Sequence, residues 1–119
     1  MEELSPQVQQ QIAQFQAMQQ QFQAISSQKI QMELQLKEVE RAVEELEKLK
    51  KGAEVYKSIG TIFIKGNKGK INAELKEKKE TLELRVQTLR KQEGKIQAKL
   101  TEMQNNIQNR ITSGGPQAG

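Results

Sequence analysis

The chain of 119 residues contains no cysteine, no histidine and no tryptophan. The lack of cysteine and histidine excludes disulfides, thiolate nucleophiles, the usual zinc ligand sets and imidazole acid–base catalysis. Aromatic residues make up 3% of the chain and hydrophobic residues 34%. Because a compact globule of this length usually contains more bulky apolar volume, we do not expect a single thick core. Long helices that bury a narrow apolar seam fit this composition.

Long apolar runs are also missing. The longest is Ile62-Phe63-Ile64, far short of the length that spans a membrane. The N-terminus, Met1-Glu2-Glu3-Leu4, lacks the basic and apolar segments of a signal peptide. We therefore expect a cytoplasmic protein with no membrane partner. The formal net charge of +4 is too mild to indicate nucleic-acid binding by itself.

Glycine and proline are absent from one long stretch, and a second contains only Gly94. Both stretches are expected to be helices, because these two residues are the strongest helix breakers. Ser5 and Asn72 are the expected N-caps. The expected single domain consists of a first helix over 5–52, a β-hairpin and loop over 53–71, a second helix over 72–112 and a flexible tail over 113–119.

Both helical stretches carry a heptad repeat. In the first, position a begins at Val8 and position d at Gln11, and eleven of the fourteen seam positions up to Ala53 are apolar. In the second, position d begins at Leu75 and position a at Lys79. A sustained heptad predicts a coiled coil. Since the connector is short, the two helices are expected to pair antiparallel.

The centre of the chain is rich in β-branched and aromatic residues, which favour strands. Gly60 can adopt the positive φ of a tight turn, so we expect a hairpin with strands near 54–58 and 61–65. A two-stranded hairpin is marginal in water and leaves two open edges. Pairing with the hairpins of other subunits is therefore expected, with folding back onto its own helices as the alternative. The expected assembly residues are Val55, Tyr56, Ile59, Gly60, Ile62, Phe63 and Ile64.

Charge is missing from the helix ends remote from the hairpin. Residues 4–28 carry no charged side chain, and after Glu102 the only charge is Arg110. A coil end that frays there would expose apolar surface for nonspecific partners, to which methionine adapts well. The alternative is that these apolar side chains stay buried in the seam up to the last turn. We call the apolar residues at this end the tip surface, which consists of Leu4, Val8, Ile12, Phe15, Met18, Met103, Ile107 and Ile111. We expect its five outermost members (4, 8, 12, 107 and 111) to be exposed.

Several motifs resemble the β-type subunits of prefoldin, most of all the archaeal form. The most specific is Ala53-Glu54-Val55-Tyr56-Lys57, followed by Gly60 and the strand at 62–65. Lys79 departs from the family, which usually has an apolar residue there, so that seam layer should be weak. The other matching stretches are Pro6-Gln7-Val8-Gln9, Glu74-Leu75-Lys76-Glu77-Lys78, Glu80-Thr81-Leu82-Glu83 and Arg90-Lys91-Gln92-Glu93.

The resemblance implies a mainly α fold, in which two long helices form an antiparallel coiled coil joined by a β-hairpin that assembles into an intersubunit β-barrel. It implies an α2β4 hexamer with prefoldin α-type subunits, although a homo-oligomer of β subunits is also open. The implied function is that of an ATP-independent holdase, which captures unfolded client proteins at the coil tips and delivers them to a group II chaperonin. No cofactor, metal, catalytic residue or nucleic-acid partner is expected. Client contact maps to residues around 4–18 and 103–111.

Three other classes of protein are alternatives to this interpretation. An enzyme is disfavoured because no carboxylate is expected in a pocket, and Gly66-Asn67-Lys68-Gly69-Lys70 lacks the spacing of a phosphate-binding loop. A nucleic-acid binder is disfavoured because glutamates interleave with the lysines near the hairpin, where only Tyr56 and Phe63 could stack on bases. A coiled-coil scaffold without client binding predicts the same helices and assembly, and differs only in what the tip does.

Overall fold

The structure is a computed structural model that describes residues 4–118, with side chains described for residues 4–112. Two long helices are joined by an antiparallel β-hairpin, which confirms the order of helix, hairpin and helix expected from the sequence. The chain divides into two compact units, Met1–Gln28 with Thr88–Gly119 and Lys29–Gln87. We call them the tip unit and the hairpin unit. The elements in chain order are α1 (Pro6–Lys48), β1 (Val55–Ile59), β2 (Ile62–Gly66) and α2 (Lys68–Ala118).

The first helix begins where the sequence indicates and ends earlier. Ser5 is its N-cap, because the Ser5 Oγ accepts a hydrogen bond from the Val8 backbone N–H at 3.2 Å. The expected end at residue 52 is wrong, since α1 ends at Lys48. The backbone leaves the helix through a turn in which the Ala53 N–H donates to the Lys50 carbonyl at 3.0 Å. Gly52 lies within this turn at a φ of 89°, which no L side chain adopts easily.

The second helix begins before the expected cap. Asn67, not Asn72, caps it, because the Asn67 Oδ1 accepts a hydrogen bond from the Lys70 backbone N–H at 3.0 Å. The helix therefore starts at Lys68, and Asn72 lies within it. The two glycines around Asn67 and Lys68 suggested a loop from the sequence. Gly69 is nevertheless helical, because one capped N-terminus outweighs a propensity cost of about 1 kcal/mol.

The second helix also continues past the expected boundary at residue 112. It runs to Ala118 and includes the Gly-Gly-Pro segment, so the expectation of a flexible tail from residue 113 is wrong. Glycine can adopt helical φ, and the fixed φ of proline is also helical, although Pro116 leaves the carbonyl four residues earlier without its helical hydrogen bond. The last residue of the expected tail, Gly119, lies outside the described part of the chain.

The side chains that the two helices bury lie at the a and d positions of the heptad repeat. In the hairpin unit the buried apolar residues are Val39 and Leu46 on α1 with Leu82 and Val86 on α2. In the tip unit they are Val8 and Leu100. All six lie at a or d positions of the repeats read from the sequence. The seam is therefore only about one side chain wide, as the low apolar content required.

Lys79 occupies an a position in the hairpin unit. Its side chain is half-buried, and its Nζ lies 4.0 Å from the Glu83 carboxylate one helical turn later. The aliphatic stem can cover part of the seam while the ammonium reaches solvent. The departure from the family pattern therefore weakens one seam layer without disrupting the helix pair.

Candidate functional site

The hairpin turns tightly at Gly60. Ile59 pairs directly with Ile62, so the loop consists of two residues, Gly60 and Thr61. Gly60 has a φ of 60°, and no residue other than glycine has a positive φ in the described part of the chain. Positive φ at the first loop position only is typical of a type II′ turn, whose twist matches that of the strands. The turn residue inferred from the sequence is therefore the one that the backbone needs.

Both faces of the hairpin carry exposed apolar side chains. The strand register places Ile59, Ile62 and Ile64 on one face, and Tyr56 and Phe63 on the other. All five side chains are exposed, and Phe63 most of all at 73%. The alternative in which the hairpin folds back on its own helices is wrong, since helices covering it would bury these side chains.

The base of the hairpin is attached to the helices. Lys57 Nζ donates a hydrogen bond to the Glu74 carboxylate of α2 at 2.9 Å. At the end of β2, a Cβ on Gly66 would collide with the Ile71 side chain, so the strand lies directly against the first turns of α2. Since both side chains of the ion pair are half exposed, this pair orients the hairpin more than it stabilises it.

An open cavity of about 520 Å³ lies beneath β1 in the hairpin unit. The Lys57–Glu74 ion pair borders it, and most of the remaining lining is aliphatic. The cavity is thus an apolar recess at the base of an apolar hairpin, and it extends the surface that a neighbouring subunit could cover. Its aliphatic lining comes from Ala42, Leu46, Val55, Ile71 and Leu75.

The tip surface is only partly exposed. Leu4 and Ile111 are exposed at 40% and 41%. The expectation of exposure at Val8 is wrong, because this side chain is 7% exposed at an a position of the seam. The remaining members are half-buried, so the expectation of exposure is also wrong at positions 12 and 107, and the tip hides part of their apolar area. These residues are Ile12, Phe15, Met18, Met103 and Ile107.

A weak seam layer lies beside these residues. Gln11 occupies a d position, and its Oε1 is buried without a hydrogen-bond partner. An unsatisfied buried acceptor costs about 1–3 kcal/mol. The sequence marks Gln11 only as a polar residue at a seam position. The structure adds that the amide oxygen is shut off from water, which the heptad pattern alone does not reveal.

A second polar layer lies deeper in the tip unit. Ser26 Oγ donates a hydrogen bond to the Glu93 carboxylate at 2.6 Å, joining α1 to α2. Such a charge-assisted bond is stronger than one between neutral groups. It fixes the local register of the two helices, since Ser26 is the residue that faces the polar a position of α2. Reading the heptad identifies Glu93 but gives no signal for Ser26.

A metal site and a membrane-spanning helix are both absent from the described part of the chain. Within residues 4–118, no group of three or more acidic residues is placed to hold a metal ion. No helix in that range is long and apolar enough to cross a membrane.

Comparison with known proteins decides the family. A family model described as a prefoldin subunit matches residues 9–114. The chain belongs to the prefoldin subunit family. Membership in the prefoldin family implies a chaperone role. Among curated relatives, the chain is 45% identical to prefoldin subunit beta of Archaeoglobus fulgidus over 119 residues, which is all of both chains.

Other prefoldin subunits agree with this match. The chain is 60% identical to prefoldin subunit beta of Methanococcus vannielii over 112 residues, covering 94% of this chain and 98% of the relative. The crystal structure of the prefoldin beta subunit from Thermococcus strain KS-1 is similar in fold, with a TM-score of 0.85 and 43% identity. That match covers 93% of this chain and 97% of the other. The similarity to prefoldin beta subunits therefore extends over both helices and the hairpin.

Proposed function

We propose that this chain is the β-type subunit of an ATP-independent holdase. Its hairpins assemble with those of α-type and other β-type subunits into a β-barrel body, in an α2β4 hexamer. Its coil tips capture unfolded proteins and deliver them to a group II chaperonin in the cytoplasm. In this proposal the subunit carries no catalytic centre.

The open hairpin supports the assembly step. Its two apolar faces and two free edges are unstable in water as they stand, and neighbouring hairpins supply both missing edges at once. Phe63 and Tyr56 on one face and the isoleucines on the other offer apolar area to neighbours on both sides. Closure of several hairpins into a barrel removes the edges, which no single added strand does.

The nearly uncharged tip carries the holdase step and is the observation on which the proposal rests. Leu4 and Ile111 are exposed. Residues 4–28 carry no charged side chain, and Arg110 is the only charge after Glu102. Apolar side chains bordered mainly by neutral amides can contact many sequences, because little fixed charge is present to repel either sign. The unsatisfied Gln11 layer lowers the cost of opening the tip, and opening would release Val8 and Ile107 from the seam.

Truncation of the tip tests this proposal against a plain scaffold. Protein lacking residues 1–14 and 104–119 should keep the number of subunits of the full-length assembly, because the hairpin is untouched. It should lose the ability to suppress aggregation of an unfolding test enzyme. Native mass is measured alone and after mixing with an α-type prefoldin subunit. Full protection by the truncated assembly would support the scaffold and overturn the holdase assignment.

A further inference from the structure

The two strands of the hairpin meet the helices differently. At the end of β2, a Cβ on Gly66 would collide with the Ile71 side chain, so the base of this strand is closed. The open cavity of about 520 Å³ is bordered instead by β1, and β2, which is described throughout, contributes none of its lining. A strand that pairs with the free edge of β1 would therefore lie beside the cavity. Opposite the five residues of β1 it would direct about two or three alternate side chains towards it.

The lining of the cavity indicates which side chains such a strand must carry. The two helices supply an aliphatic wall, to which apolar side chains are complementary. Two lysines also border the cavity. Lys57 is paired with Glu74 at 2.9 Å, whereas Lys78 forms no ion pair with another described residue. Covering Lys78 without supplying a carboxylate would remove water from an unpaired ammonium group, which is costly.

A second copy of this chain does not offer the required combination. Its strands, Val55–Ile59 and Ile62–Gly66, contain two lysines and no acidic residue. Glu54, the carboxylate next to β1, already accepts hydrogen bonds from Tyr56 and Lys65. A copy that paired with β1 would therefore bring lysine side chains towards Lys78, and like charges that face each other across an interface disfavour that partner.

We propose that the cavity receives a strand of a different subunit, which carries alternate apolar side chains and a carboxylate that reaches Lys78. The strand pairs with the free edge of β1, and its side chains fill the space between the hairpin and the helices. This inference rests on the proposed assembly through the hairpin, and it names the α-type subunit, rather than a second β-type copy, as the neighbour at β1. The cavity then distinguishes the two kinds of subunit, because the wrong neighbour leaves Lys78 covered and unpaired.

The absence of cysteine allows a direct test of whether the cavity is filled. Ala42→Cys places a thiol in the cavity wall. Glu40→Cys is the matched control, because residues two apart lie on opposite sides of a helix and Glu40 is exposed outside the cavity. Maleimide labelling of each variant is timed alone and after mixing with an α-type prefoldin subunit, and native mass is recorded in parallel. Mixing should slow labelling of Ala42→Cys by about 10-fold or more and leave Glu40→Cys unchanged.

Lys78→Glu tests the charge requirement. It should raise the concentration of α-type subunit needed for half-maximal assembly by about 10-fold. Lys91→Glu makes the same charge change at an exposed position of α2 in the tip unit and should leave that concentration unchanged.

Three results would overturn the inference. Labelling of Ala42→Cys could stay fast in a mixed assembly of the expected mass, which would show that the cavity remains open. Raising the concentration of this chain alone could slow labelling equally, which would make a second copy the occupant. Lys78→Glu could assemble as readily as the unaltered chain. If the native mass does not rise on mixing, the proposed assembly fails and the inference fails with it, and the mass distinguishes this outcome from the other three.

Discussion

Replacing Gln11 with leucine should make the tip more stable and the chaperone weaker. Gln11 lies at a d position, where its Oε1 is buried without a partner. Removing an unsatisfied buried acceptor recovers about 1–3 kcal/mol. A leucine of similar length adds apolar contact at the same seam layer. The free energy of opening the tip beyond this layer should therefore rise by at least that amount.

A rise of 1–3 kcal/mol lowers the population of the opened tip by about 5- to 150-fold. Hydrogen exchange measures this directly, because amides of the last turns exchange through local opening. Exchange should slow by that factor for residues around 6–15 and 100–111, and little in the hairpin unit. Suppression of aggregation of an unfolding test enzyme should weaken in parallel, since Val8 and Ile107 would be released less often.

The control variant is Gln14→Leu, which makes the same substitution at an exposed position one turn away. It adds apolar surface without filling the seam, so it should leave tip exchange unchanged. Unchanged exchange in Gln11→Leu would show that the buried oxygen costs nothing and refute the energetic reasoning. Slower exchange with full client protection would refute the link between tip opening and capture.

Three further predictions concern the hairpin and the second helix. Phe63→Asp should dissociate the assembly while far-UV circular dichroism still reports helix, because a buried charge is costly at a covered apolar face; retention of the native mass on size exclusion would contradict barrel assembly. Gly94→Ala should raise the free energy of unfolding in urea by about 1 kcal/mol, because the site is open and helical, and an unchanged midpoint would contradict this. Asn67→Ala should lower it by about 1 kcal/mol through loss of the cap. Asn72→Ala is the control, because the Asn72 Oδ1 is buried without a partner and its removal should not lower the free energy of unfolding. A larger loss for Asn72→Ala than for Asn67→Ala would favour Asn72 as the cap.

The main elements of this fold follow from local sequence signals. The heptad repeat predicts which side chains are buried, and Val39, Leu82 and Leu100 are among those that the seam hides. Gly60 identifies the turn because positive φ is a property of the residue itself. The helix ends are less accurate. Asn67 and Asn72 have the same capping ability, and only the path of the chain after β2 selects between them.

The exposure of the hairpin residues could be predicted from the sequence, whereas that of the tip residues could not, for a related reason. The hairpin residues could be identified because a strand with two apolar faces conflicts with water wherever it lies. The tip residues could be listed, but their exposure depends on the partner across the seam, so Val8 was placed outside when it is buried. Ser26 gives no signal at all in the sequence, because its role depends on the position of Glu93 in the other helix.

The sequence by itself determined that two long helices would bury a narrow seam, that the chain would reverse at Gly60, and that the hairpin would have open edges. These outcomes depend on periodicity and backbone preference, which act within a few residues of one another. Only the tertiary structure decided that the Gln11 oxygen is left without a partner, that Asn67 is the cap, and that Ser26 lies opposite Glu93. Each of these depends on which residues lie opposite one another across the helix pair, or on the path of the backbone between elements. The spacing of residues along one segment does not determine either.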